Sequence, residues 1–232
     1  MDILLISGLW LTSDVWTGVV DDLRTRGHIA IPVALPGADD RNADATLADQ
    51  LAAVLAAVDA APGEVTVVGH SAASTLAWLA ADRRPDRVRR VVMIGGFPAG
   101  DGSSYAEFFP LTDGVMPFPG WDPFDGPDAA DLDEPTRARI ASAAVPVAGG
   151  VALGRVELGD ERRFDIPVVL ICPEFSPDDA RGWIEGGDVG ELARARHLSY
   201  VDIDSGHWPM LTQPAELSRL LDSIARPQEV AS

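Results

Sequence analysis

Gly69-His70-Ser71 stands where an apolar run, Val65 to Val68, gives way to a helical pattern, Ala72 to Asp82. A serine held between a strand and a helix is posed as an exposed nucleophile. Its hydroxyl attacks only when a base takes its proton. The chain has four histidines, His28, His70, His197 and His207. His28 and His197 open strand patterns, and parallel sheets build their sites at the opposite ends of the strands. His70 adjoins Ser71, so its side chain should point elsewhere. His207, in Asp204-Ser205-Gly206-His207-Trp208 after the last strand pattern, is the candidate base. The plainer alternatives are a helix N-cap for Ser71 and an ordinary surface or core histidine for His207.

The elements that would position these residues are readable from periodicity. Strand patterns cover 2–7, 28–35, 65–68, 88–94, 166–172 and 198–203. Helical patterns cover 15–27, 46–60, 72–82, 178–185, 189–196 and 215–225. In the second helix Leu47, Leu51, Val54, Leu55 and Val58 keep the three-and-four spacing, with Asp49 in its first turn. Residues 95 to about 164 break the alternation. They are rich in Gly, Pro and Asp, and read as an insertion with short helices, the best being 134–144. Alternating strands and helices, with near-continuous apolar strands, predict an α/β fold: a mostly parallel sheet covered on both faces. The tail past Ala225 is expected to fray.

Composition excludes several function classes. At 232 residues the chain can bury a full core. Its net charge of -18 opposes nucleic acid and anionic lipid. It contains no lysine, which removes Schiff-base lysines, pyridoxal-phosphate enzymes and P-loops. No apolar run approaches the roughly 20 residues that span a bilayer, and no basic stretch precedes 1–6, so no signal peptide is expected. The single Cys172 makes no internal disulfide, in keeping with a cytoplasmic location.

The G-H-S after a strand, the S-G-H near the C-terminus and the Pro/Gly/aromatic insertion between them resemble the α/β-hydrolase superfamily, over roughly residues 2 to 225. Phe97-Pro98 and His207-Trp208-Pro209-Met210-Leu211 are similar to motifs of its methyl-esterase and hydroxynitrile-lyase branch. The resemblance implies a single domain, 1–232, with a cap insertion at about 98–163. It implies that Ser71 sits on a strained elbow, with Ala73 in place of the usual second glycine. The backbone N–H groups of Leu9 and Ala72 would hold the oxyanion. A carboxylate should orient His207, and the family position for it falls on Ser176. Glu174, two residues earlier with a longer side chain, is the chosen acid. Asp178 comes next, although Asp178 and Asp179 also suit a helix's first turn. Asp101 lies farther out, and a dyad oriented by Ser176 or water is the remaining arrangement.

Trp208 stands where the lyases carry a lysine, which favours esterase chemistry. Trp10, His70, Trp121 and Trp208 are the candidate substrate contacts, although aromatics in such stretches equally serve the core. The implied activity is hydrolysis of a small, mostly apolar carboxylic ester, thioester or lactone through an acyl-serine. No cofactor or metal is implied. The partner is a small-molecule substrate, with no nucleic acid and no membrane, and the oligomeric state is open. Two rivals share the motifs: a lyase or cyclase of secondary metabolism, and a ligand-binding sensor with little turnover.

Overall fold

The computed structural model describes residues 1–226; the expectation for the tail past Ala225 lies, Arg226 aside, outside them. In chain order the elements are β1 (Asp2–Ile6), α1 (Thr17–Thr25), β2 (Ile29–Pro32), α2 (Leu47–Ala60), β3 (Val65–His70), α3 (Ser74–Arg83) and β4 (Val88–Ile94). Then follow β5 (Val115–Met116), α4 (Glu134–Ala143), β6 (Val147–Ala148), α5 (Gly149–Ala152), β7 (Val168–Cys172), α6 (Pro177–Gly186), β8 (Leu198–Asp202), α7 (Pro209–Thr212) and α8 (Pro214–Ala225). Six strands form one sheet in the order β2-β1-β3-β4-β7-β8, every neighbouring pair parallel.

Side chains alternate across this sheet, as a two-residue period requires. Ile3, Leu5, Val68, Val92 and Ile171 pack with Val19 and Leu23 of α1 and Leu217 and Leu221 of α8. Leu4, Ile6, Val67, Met93 and Leu170 pack on the other face with α2, α3 and α6, through Val54, Val58, Leu76 and Ile184. Strands buried on both faces must be apolar at successive positions, which is why they read as unbroken runs. Thr46 starts α2 through a reciprocal cap: its hydroxyl accepts from Asp49 N–H, and the Asp49 carboxylate accepts from Thr46 N–H.

Three expectations are corrected. The strand predicted over 28–35 is only Ile29–Pro32, an edge strand. Pro32 has no N–H to extend it, and after Val33 bonds Leu5 O the chain turns away at Gly37 (φ 86°). The helix predicted over 189–196 is a single 3-10 turn, Leu192–Arg194. Glu191 there is drawn inward to accept from Trp78 Nε1 (2.9 Å) and Arg163 Nη2 (2.9 Å), and Gly190 beside it weakens any helix. The segment between β4 and β7 also holds an antiparallel ribbon, β5–β6, too short to show an alternation in sequence. That segment packs on both sides of the sheet, with Tyr105, Met116 and Val151 in one cluster and Ala129, Leu132 and Ile140 in the other. Among the described residues no helix is long and apolar enough to cross a membrane.

Candidate active site

The carboxyl ends of β3, β4, β7 and β8, consecutive in the sheet, bring four loops together. After β3 the chain turns sharply through a 3-10 turn, Ser71–Ala73, into α3. Ser71 takes a left-handed conformation, φ 55°. For a non-glycine residue this costs of order 1–3 kcal/mol and persists only where the surroundings impose it. They do so here. A Cβ at Gly69 would collide with the Ala73 carbonyl, and one at Gly96, after β4, with the Ser71 carbonyl. The glycines let the backbone pack around the serine and push its side chain outward. Ala73 itself is helical (φ -67°) and fully buried, so its methyl needs no special backbone.

The turn after β1 closes the other side. A Cβ at Gly8 would lie 3.1 Å from Ser71 Cβ and 2.7 Å from His70 Nδ1. This puts the Leu9 backbone beside the elbow, and Ala72 begins the helical turn after Ser71.

His207 follows β8, and Glu174 follows β7. His207 Nδ1 lies 2.7 Å from Glu174 Oε1, and both side chains are nearly buried, at 13% and 11% exposure. Gly95 (φ 57°) makes room for the pair: a Cβ there would lie 3.1 to 3.2 Å from both Glu174 oxygens and from His207 Nδ1. The other carboxylates after β7 do different work. Asp179 and Ser176 form a reciprocal cap on α6, and Asp178 is exposed against Arg181. Ser176, on which the family position fell, is thus a helix cap.

The backbone of His207 is held as firmly as its ring. His207 N–H donates to Asp128 O (2.8 Å), and His70 Nε2 donates to His207 O (2.8 Å). Because a carbonyl only accepts, His70 carries its proton on Nε2. Burial, with His207 nearby, pushes the His70 pKa down to about 3, so it remains a neutral donor.

Two of the expected substrate contacts are buried. His70 is 1% exposed and spends its polar edge on His207; Trp208 is 4% exposed, edge-on to Trp121 (5.3 Å between ring centroids) and Phe124 (5.5 Å). Both are walls behind the site, since the elbow and the aromatic cluster leave them no open face. Trp10 (φ 63°) ties the β1 turn to the insertion by donating from Nε1 to Met116 O. Beside it, Leu9, Leu35, Ala38, Tyr105 and Val145 line a small, mostly apolar cavity of about 20 Å³. Trp121 is half-buried under Arg137.

Sequence reasoning passed over Gly95, Gly96, Asp128 and Asp131. The Asp128 carboxyl is raised above the usual range by burial, with His207 opposing and Glu174 adding to the shift. Nothing local marks it: it lies in a Gly/Pro/Asp stretch that reads as loop.

The chain matches the α/β hydrolase family over residues 3–220 and belongs to it. No curated protein matches it in sequence. Among solved structures it is similar to an extracellular α/β-hydrolase from a Paenibacillus species, at TM-score 0.80 and 18% identity, over 98% of this chain and 100% of that one. Polyneuridine aldehyde esterase aligns at TM-score 0.72 and 18% identity, over 97% and 99%. Tomato methylketone synthase I, complexed with 2-tridecanone, aligns at TM-score 0.71 and 17% identity, over 97% of both chains. These likenesses establish the fold, a parallel six-stranded sheet with helices on both faces.

Proposed function

We propose that this α/β hydrolase is a serine esterase cleaving a small, mostly apolar carboxylic ester, thioester or lactone through an acyl-Ser71 intermediate. The observation that carries the reading is the 2.7 Å contact of His207 Nδ1 with Glu174, made at Gly95, one residue from the glycine that abuts the Ser71 carbonyl. Glu174 accepts a hydrogen bond from Nδ1–H, which keeps that proton on Nδ1 and leaves the Nε2 lone pair for Ser71. Nε2 takes the hydroxyl proton as Oγ attacks the acyl carbon. The carbonyl electron pair moves onto oxygen, where the N–H groups of Leu9 and Ala72 receive it at the start of a helical turn. Collapse expels the alcohol, thiol or ring oxygen, which takes the proton from Nε2. Water then repeats the sequence on the acyl-serine, releasing the acid and restoring Ser71.

The side chains around the Leu9–Trp10 turn are mostly apolar, which supports a neutral acyl group over a charged one; the cavity among them, about 20 Å³, is the size of a water molecule and sets no acyl length. The absence of lysine supports hydrolysis over cyanide elimination. The test pairs p-nitrophenyl acetate and butyrate turnover with fluorophosphonate labelling. The wild-type chain hydrolyses the esters and is labelled at Ser71. Ser71→Ala loses both, with kcat down by roughly 10³-fold or more. Undiminished turnover in Ser71→Ala overturns the assignment. Labelling without turnover moves the chain to non-hydrolytic chemistry or ligand sensing.

A further inference from the structure

The insertion between β4 and β7 reaches the loop after β8. It grips the turn from which His207 projects. Asp131 accepts from Gly206 N–H (2.9 Å), and its carboxylate lies 3.1 Å from Ser205 Oγ, whose one proton is also in reach of Gly206 O (2.9 Å) and Thr212 Oγ1 (3.0 Å). Asp128 O accepts from His207 N–H (2.8 Å). The fit leaves no slack: a Cβ on Gly206 would collide with both the Asp128 carbonyl and the Asp131 carboxylate. Two successive backbone N–H groups, of Gly206 and His207, therefore hang from one short stretch of the insertion, with the Ser205 hydroxyl beside the same carboxylate. That stretch is itself anchored, because Arg137 Nη2 donates to Ala129 O (2.7 Å) and its guanidinium lies over Trp121, which in turn packs on Trp208. On the far side, His207 O is held by His70, from the sheet.

We infer that Asp131 is a positioning residue for His207: its carboxylate, carried by the insertion, sets the turn 205–206 so that the ring meets Glu174 at Nδ1 and presents Nε2 to Ser71. The inference rests on the esterase reading for its kinetic consequence but not for its structural one. Asp131 touches neither Ser71 nor Glu174 in any hydrogen bond, and acts only through the backbone that carries the base. A base displaced by a fraction of an ångström loses rate rather than substrate affinity, because the misplacement is felt where the proton moves. The effect therefore falls on kcat.

The experiment uses the full chain. Asp131→Ala is expected to lower kcat for p-nitrophenyl acetate about 10- to 100-fold, the scale of a misplaced catalytic group, with KM within about twofold. Asp131→Asn keeps an acceptor oxygen and is expected to recover most of the rate. A second readout needs no turnover: the downfield proton resonance of His207 Nδ1–H, assigned by its loss in His207→Gln, broadens or disappears in Asp131→Ala and returns in Asp131→Asn. If Asp131→Ala does not fold, Asp131→Glu, which moves the carboxylate by one methylene, is read in the same direction. An unchanged kcat and an unchanged resonance overturn the inference, as does a loss confined to KM. A wild-type chain without ester turnover, but with the resonance lost in Asp131→Ala, overturns the esterase reading and upholds the positioning role.

Discussion

Two buried histidine–carboxylate pairs sit at opposite ends of the same sheet. His28 Nε2 lies 2.7 Å from Asp222 Oδ1; His207 Nδ1 lies 2.7 Å from Glu174 Oε1. Their exposures are similar, 5% and 15% for the first pair against 13% and 11% for the second. What differs is the company. His28 precedes β2, and its partner is on α8, where Arg226 and Arg26 also reach Asp222. That pair pins the last helix to an edge strand. Around His207 and Glu174 there are instead a left-handed serine, Gly95, which leaves room for the pair, Gly96, which admits the serine's backbone, and a helical turn opening beside it. A short His–carboxylate contact is therefore not a site in itself. Position at the carboxyl ends of the strands, beside a serine on a strained turn, makes the difference.

Exchanging the histidines is the hardest test of that distinction. His207→Gln should lower kcat on p-nitrophenyl esters by roughly 10³-fold or more. His28→Gln should leave kcat within about twofold while costing on the order of 1–3 kcal/mol of stability, the cost of disrupting a buried hydrogen bond. Steady-state kinetics and denaturant melts on both variants read the result, and a comparable kcat loss in His28→Gln would erase the contrast.

The carboxylates should divide in the same way. Glu174→Gln would donate to Nδ1 rather than accept, favouring the wrong tautomer, with an expected kcat loss of about 10²- to 10⁴-fold. Asp222→Asn should leave kcat unchanged. Equal activity of Glu174→Gln and wild type would hand the orienting role to another group.

His70 sharpens the contrast from within the site, because it has no carboxylate at all. The folded chain keeps it neutral down to about pH 3, whereas the unfolded chain protonates it near 6.5. Its contribution to stability is therefore full above pH 6.5 and is lost as pH falls toward 3, at about 1.4 kcal/mol per pH unit. Denaturant melts at pH 7 and pH 5 should differ by roughly 2 kcal/mol from this source, and His70→Gln should flatten the slope. An unchanged slope would mean that His70 takes up its proton while folded.

The smallest effect belongs to Asp222. The hydrogen bond from His28, then that from Arg226, hold its carboxyl below the ordinary value of 3.8. The stability this supplies is present above that value and is lost as pH falls below it. Thermal melts between pH 4.5 and pH 3 should show Asp222→Asn losing less stability than wild type.

Much of the fold was legible because its signals are local. Apolar runs marked the buried strands, the spacing Leu47-Leu51-Val54-Val58 marked α2, and the turn at Gly69 marked the elbow. The expected helix at 189–196 failed for a non-local reason: Glu191 belongs to a buried network with Arg163 and Trp78, 28 and 113 residues away. Asp178 and Asp179 were legible as suiting a helix's first turn, which they occupy, but the cap that Ser176 makes with Asp179 was passed over although its three-residue spacing is local. Asp131 was not legible, because its partners are 74 and 75 residues downstream and no pattern in DGPDAADLDE distinguishes it from a solvated acid.

The amino-acid sequence by itself determined most of the strands and helices, the serine on the turn after β3 and the histidine after the last strand, because each depends on residues within one or two turns of chain. It also narrowed the acid to a few residues after β7. Only the tertiary structure decided which carboxylate meets His207, what holds the histidine's backbone, and that His70 and Trp208 stand behind the site. The reason lies in strand order. β3, β4, β7 and β8 are neighbours in the sheet, so Ser71, Gly95, Glu174 and His207, spread over 136 residues of chain, end in adjacent loops. That adjacency is a property of the packed sheet.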